Sequence, residues 1–310
     1  MAARLTTVAD GIHRFDTHYV RPQHTAVYVV TGGDDTAIVD TGVGANVESL
    51  LEALGSLGID VADVGAVLVT HAHLDHAGGA GRLMEALPNA ALLGHRSAVR
   101  HLVDPSKLEQ GVRAVYGDTF FEREYAPLVP VPAERAFALP DSESVAVGER
   151  SLTAIQTPGH ARHHVSFWEP ATATVLAGDA FGVGYPELEG PDGPLVVPET
   201  APPQFDPEAM HASIDRILAL EPARIAPTHF DTISDCRGVG AALHALIDDM
   251  CERARQAASQ EGLVEDLLAG WATQLARRGR PGDAERMRER YELDALLSAQ
   301  GLWHWLGESA

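Results

Sequence analysis

Six positions, His71-Ala72-His73-Leu74-Asp75-His76, carry three imidazoles and a carboxylate, and they begin directly after the short apolar run Ala66 to Thr70. A brief β-branched run of this kind predicts a buried strand. Two histidines at i and i+2 on the extended segment leaving a strand project to the same side. Asp75 and His76 follow where the chain curls into the next helix, facing a position close by. Imidazole and carboxylate suit zinc, iron or manganese, so the cluster predicts a site for two adjacent divalent cations.

Two cations need more than four donors, and the chain repeats the same local arrangement three times. Thr157-Pro158-Gly159-His160 follows the strand Leu152 to Gln156, Ala177-Gly178-Asp179 follows Thr174 to Leu176, and Pro227-Thr228-His229 follows Arg224 to Ala226. Each donor candidate stands at the C-terminal tip of a strand, where α/β proteins collect their sites.

The remaining pattern is alternating strands and helices. Thr25 to Thr31 and Ala37 to Asp40 predict a hairpin around Gly32-Gly33-Asp34-Asp35. Asn46 to Leu57 places Val47, Leu50, Leu51 and Leu54 at helical spacing, with Gly58 as its stop. Gly81 to Leu87 reads as a second helix, Ala90 to Leu93 and Val165 to Trp168 as strands. Seven prolines between Tyr185 and Pro207 predict a long loop of the kind that often covers a binding site. From Gly238 onward the pattern turns helical over Ala241 to Ala258, Gly262 to Arg278 and Asp283 to Leu297. The boundaries expected are a mixed α/β domain over 1–235 and a helical extension over 236–310, which could serve for packing or for a homo-oligomer contact.

Composition narrows the function. The 310 residues carry 23 basic and 44 acidic side chains, a net charge of -21 that repels phosphate backbones and argues against nucleic acid. No apolar run approaches the roughly 20 residues needed to span a bilayer. The first residues lack the apolar stretch of a signal peptide, so the expected location is cytoplasmic. Cys236 and Cys251 form neither a disulfide framework nor a CxxC pair.

With these residues in view, the sequence resembles the metallo-β-lactamase-fold hydrolases over about residues 8–235, through HxHxDH followed by single His, Asp and His donors. It is similar in particular to the glyoxalase II-like branch and its prokaryotic relatives. The resemblance implies an αββα four-layer sandwich with the metals at one edge. It implies that His71, His73 and His160 hold one metal, that Asp75, His76 and His229 hold a second, and that Asp179 bridges both. Zinc is the first expectation, with iron or manganese as alternatives. Asp40, in Ile-Val-Asp-Thr-Gly, would accept a hydrogen bond from a ligand histidine and fix its tautomer. His164 matches a position of structural importance in the family. His163 before it is an extra histidine, expected to pack or to lie at the surface.

The implied chemistry is hydrolysis of a small-molecule thioester, ester or lactone by a metal-bridging hydroxide, with Asp75 and Asp179 as the carboxylates nearest the reaction. Phe181 and Tyr185, beside the proline-rich segment, are the expected substrate wall, with His18, Tyr19 and His24 as further candidates. The helical tail lacks the Arg/Lys arrangement with which glyoxalase II holds the glutathione carboxylates. Three alternatives share the motif or the tail. A persulfide dioxygenase would use one iron. An RNase Z-like phosphodiesterase would need a basic surface. A non-catalytic binding protein would use the tail as its partner surface. Flavodiiron proteins usually carry Glu at the position of His73, which counts against them.

Overall fold

Seven strands pair in chain order to make the first sheet: β1 (Leu5–Ala9), β2 (Ile12–Asp16), β3 (Ala26–Thr31), β4 (Thr36–Val39), β5 (Val64–Val69), β6 (Ala91–Gly94) and β7 (Ala136–Ala138). The first four run antiparallel, while β4 through β7 are parallel. The second sheet has the order β14-β11-β10-β9-β8, from β8 (Ser144–Val147), β9 (Arg150–Gln156), β10 (Val165–Glu169), β11 (Thr174–Gly178) and β14 (Arg224–Pro227). Between β11 and β14 the short strands β12 (Val183–Gly184) and β13 (Val196–Val197) pair with each other. This computed structural model describes residues 4–190, 194–201, 203–280 and 284–309. Pro191 and Pro202 of the proline-rich segment, and Asp283 at the expected start of the last helix, lie outside the described residues.

Helices α1 (Val47–Ser56), α2 (Leu74–Ala77), α3 (Ala80–Ala86), α4 (Arg96–Val103), α5 (Ser106–Tyr116) and α6 (Asp118–Glu124) accompany the first sheet. After it come α7 (Pro207–Leu218), α8 (Cys236–Gln256), α9 (Gln260–Arg277) and α10 (Ala284–Ser309).

Period-two alternation explains the layering. On β3, Val27 and Val29 face a cluster with Leu50 and Leu54 of α1 and Leu83 of α3. Tyr28 and Val30 face the other way, into a cluster shared with Leu152, Phe167 and Leu176 of the second sheet. On β11 the split repeats: Leu176 points inward, while Val175 and Ala177 join Ile214 of α7, Leu243 and Ile247 of α8, Trp271 of α9 and Tyr291 of α10. Both sheets are thus sandwiched between helices, the αββα arrangement. The segment from Cys236 onward covers the outer face of the second sheet and contributes to the same apolar cluster.

Two regions depart from the expectations. The proline-rich segment is not unpaired throughout: Val196 and Val197, which keep their N–H groups, pair with Val183 and Gly184. No element is predicted from the sequence at α4–α6, β1 or β2, although Ala98, Val99 and Leu102 of α4 are buried at helical spacing. α5 fully buries none of its side chains, and β1 is half-buried at Leu5, Val8 and Ala9 with Thr6 and Thr7 exposed.

Candidate metal centre

The centre lies where strand tips of the two sheets meet. β5 ends at Val69, and the extended residues 70–73 deliver His71 and His73 before the single turn of α2 presents Asp75 and His76. His160 follows β9, Asp179 follows β11 and His229 follows β14. Backbone hydrogen bonds tie these loops together: Thr228 N–H to the Gly178 carbonyl at 3.1 Å, Val165 N–H to Thr70 at 2.8 Å, and Thr41 N–H to His76 at 2.6 Å. Gly178 is obligatory on two counts. Its φ is +56°, and a Cβ there would stand 2.5 Å from His164 Nε2.

All seven candidate donors converge. Donor atoms of His71, His73 and His160 fall within 4.8 Å of one another, as do those of Asp75, His76 and His229, and those of His71, His76 and Asp179. Asp179 stands between the two trios. Its Oδ2 lies 3.3 Å from both His76 Nε2 and His160 Nε2 and 3.8 Å from His71 Nε2, while Oδ1 lies 3.7 Å from His229 Nε2. Asp75 Oδ2 is 3.4 Å from His229 Nε2 and 3.5 Å from His76 Nε2.

The partners on the far side of each ring fix which nitrogen faces inward. His76 Nδ1 is 2.9 Å from Asp40 Oδ2, His160 Nδ1 is 3.2 Å from the Glu199 carbonyl, and His229 Nδ1 is 2.8 Å from the His24 carbonyl. Those oxygens can only accept, so each Nδ1 carries a proton and each Nε2 faces the centre, where a metal that displaces any Nε2 proton finds the tautomer it requires. Asp40 also accepts from Thr70 N–H at 2.8 Å and from the Thr70 and Thr228 hydroxyls, each at 3.0 Å. It therefore joins three strand tips. His164 Nε2 accepts the Asp179 N–H at 3.0 Å, and its Nδ1 lies 2.8 Å from the Thr157 hydroxyl. His163 is buried and accepts the Ala72 N–H at 3.2 Å, bracing the strand-to-helix turn between two donors.

The donor set fits divalent cations. His71 Nε2, His76 Nε2 and Asp179 Oδ1 are buried at the centre without a hydrogen-bond partner among the described residues. Polar atoms left so are costly unless a ligand takes them. The protein's own charges are also concentrated here. Burial alone would depress the His76 ring, but Asp179, Asp75 and Asp40 around it win and hold its pKa well above the ordinary value. Burial would raise Asp179, yet His76 and His229 hold it well below the carboxylate range. His71 is pushed well down by burial and by the neighbouring His76 and His73.

The proposed wall residues are placed differently. Phe181 is fully buried in the cluster between the second sheet and its helices. Tyr185 is buried there too, its hydroxyl donating to Asp294 of α10 at 3.0 Å. His18 pairs with Asp16 at 3.3 Å. His24 and Tyr19 do flank the centre: the His24 ring lies 5.2 Å from that of His229, and Tyr19 lies 6.3 Å beyond it. Sequence reasoning missed the carbonyls of His24 and Glu199, because a backbone oxygen leaves no residue signature. It also missed Tyr125, whose hydroxyl accepts that of Tyr19 at 2.8 Å.

The signature of the metallo-beta-lactamase superfamily matches residues 20–229. The chain belongs to this superfamily. Its members are mostly metal-dependent hydrolases that bind divalent metals. A metallo-beta-lactamase fold-containing protein of Sulfurisphaera tokodaii is 25% identical over 72% of this chain and 80% of its own length. A hydroxyacylglutathione hydrolase of Aeromonas hydrophila is 26% identical over 68% of this chain and 63% of its own. An N-acyl homoserine lactonase of Agrobacterium fabrum is 30% identical, over only 39% of this chain and 41% of its own length. Among solved structures, a metallo-beta-lactamase family protein of Thermus thermophilus superposes with a TM-score of 0.71 at 21% identity, covering 98% of this chain and 95% of that one. This metallo-beta-lactamase superfamily chain thus shares its fold across nearly its whole length, including the helices after β14.

Proposed function

We propose that this protein is a binuclear metallohydrolase that cleaves a thioester, ester or lactone. The observation that carries the reading is the pair of adjacent donor trios, His71/His73/His160 and Asp75/His76/His229, with Asp179 between them. Divalent cations bound there would bring the pKa of water towards neutrality and polarise an acyl oxygen. The protein's part is positioning. Asp40, the Glu199 carbonyl and the His24 carbonyl hold three imidazoles with Nε2 inward. His164 holds the backbone of Asp179, so that both carboxylate oxygens are presented. Asp75 is about a quarter exposed, whereas the side chain of Asp179 is almost fully buried. Of the two carboxylates, Asp75 is therefore the one in contact with solvent, through which a proton can be exchanged near the departing group. No serine or cysteine nucleophile is needed: Cys236 and Cys251 are both buried, and burial raises their thiol pKa.

The relatives support acyl hydrolysis as the reaction class, since one is named for a thioester-cleaving activity and another for a lactonase. The test is a panel of thioesters, esters, lactones and phosphodiesters, offered to the metal-loaded protein and to protein stripped with a chelator. Turnover of an acyl substrate that disappears on stripping and returns with zinc or manganese is the expected result. Turnover confined to phosphodiesters, or oxygen uptake with a persulfide on one iron, would replace the proposal.

A further inference from the structure

A row of aromatic rings leads from the metal centre to solvent. From the ligand His229 the ring centroids step 5.2 Å to His24, 6.3 Å to Tyr19, 6.0 Å to Tyr125, 5.9 Å to Phe120 and 5.0 Å to Tyr116. Phe120 and Tyr116 are stacked, and Tyr116 is 36% exposed. The outer rings belong to α5 and α6 and the turn after them. This pair of helices is lightly anchored: α5 buries no residue, α6 buries only Phe121, and Val115 at the end of α5 is 54% exposed. Gly117 joins the two at φ +83°, with open space where a Cβ would stand. The bond between the Tyr19 and Tyr125 hydroxyls, 2.8 Å long, fastens the pair to the loop that carries His24. Burial and then the Asp75 carboxylate push the Tyr116 and Tyr125 hydroxyls above their ordinary range.

Apart from the exposed Lys107 at the start of α5, the same helices offer little unpaired positive charge. Arg113 is shared among Glu109, Asp118 and Glu122, and Arg123 is paired with Glu124. Both guanidiniums also lie over rings, of Phe121 and Phe120. A surface of stacked rings whose arginines are already neutralised binds apolar matter and gives a carboxylated ligand little to pair with.

We infer that the row Tyr19, Tyr125, Phe120 and Tyr116 binds the apolar arm of the substrate, so that the protein selects a neutral acyl compound with an alkyl or aryl chain over a polycarboxylated glutathione conjugate. The inference rests on the hydrolase reading, because the arm must end with its acyl carbon at the metals. Buried methylenes add affinity one by one, so preference should climb with chain length.

Two measurements separate this inference from the reading beneath it. The first is kcat/KM for octanoyl against acetyl thioesters in the unaltered protein and in the double variant Tyr116→Ala/Phe120→Ala. The octanoyl preference should be at least about tenfold and should collapse in the variant. The second needs no turnover: calorimetric binding of 2-decanone and 2-butanone to the metal-loaded protein. Tighter binding of the longer ketone, lost in the single surface variant Tyr116→Ala as in the double one, supports the row even if no thioester is cleaved, in which case the hydrolase reading alone fails. Equal binding of the two ketones, or a preference untouched by both variants, overturns the inference whatever the turnover.

Discussion

The strand tips around Asp179 and the helical pair α5–α6 lie at opposite ends of one aromatic row and are built on opposite principles. At the tips the donors are held from behind: Asp40 alone accepts from Thr70 and His76, on the segment after β5, and from Thr228, on the segment after β14. The helical pair is held by surface ion pairs, one bond between hydroxyls and the packing of only two side chains, Leu108 and Phe121. The first region pays conformational entropy in advance so that cations and substrate meet a finished geometry. The second keeps its side chains largely in solvent, so it can move or vary without disturbing the chemistry. Reaction class belongs to the rigid region, choice of substrate to the loose one.

The largest expected effect is at the rigid end. Asp179→Ala removes the carboxylate between the two trios and should cost at least one of two metal equivalents, with turnover falling at least about 10²-fold. Metal analysis beside a rate assay checks this, and two retained metals with near-normal turnover would remove Asp179 from its assigned place. Asp40→Ala should weaken metal binding by about 10–100-fold although Asp40 touches no metal, because His76 loses the acceptor that fixes its tautomer. Competition with a chromophoric chelator measures it. If the affinity is unchanged, rigidity at the tips does not depend on the hub.

pH offers a third handle on the same region, in chelator-stripped protein. His229 is raised to about 9 because Asp179 and Asp75 outweigh burial, so its contribution to stability is complete below its ordinary value of 6.5 and drains away as pH rises through about 9. His73 is lowered to about 3 by burial and the neighbouring His160, so its contribution is complete above 6.5 and is lost as pH falls towards 3. Stability of the stripped protein should therefore decline on both sides of 6.5, and loading with metal should remove the alkaline decline. Urea titrations across pH give the curve. The smallest effect belongs to the loose region: Tyr125→Phe keeps the ring and deletes one hydrogen-bonded hydroxyl, for a cost of about 1 kcal/mol by denaturation. A much larger loss would mean that α5–α6 is part of the rigid frame after all.

The contrast also explains what the sequence discloses. The donors are chemically distinctive residues placed just after runs of Val, Ile, Leu and Ala, so strand period and ligand type point to the same tips. β3, β4, β5 and β11 were legible because opposite faces of each enter different apolar clusters. α5 was not, although Leu108, Val112 and Tyr116 stand at helical spacing along it; none of its side chains is fully buried. Phe181 and Tyr185 were read as a wall from their nearness in sequence to Asp179, yet both rings turn into the cluster beneath the outer helices. Tyr125 lies more than a hundred residues from Tyr19, and nothing local predicts that their hydroxyls meet.

The central claim is that His71, His73, Asp75, His76, His160, Asp179 and His229 together hold two cations. Anomalous diffraction from crystals of the metal-loaded protein, collected on both sides of the metal's absorption edge, tests it directly. The account predicts two peaks per chain, one among His71, His73 and His160 and one among Asp75, His76 and His229, with Asp179 touching both. A single peak, or metal bound away from these side chains, would contradict it.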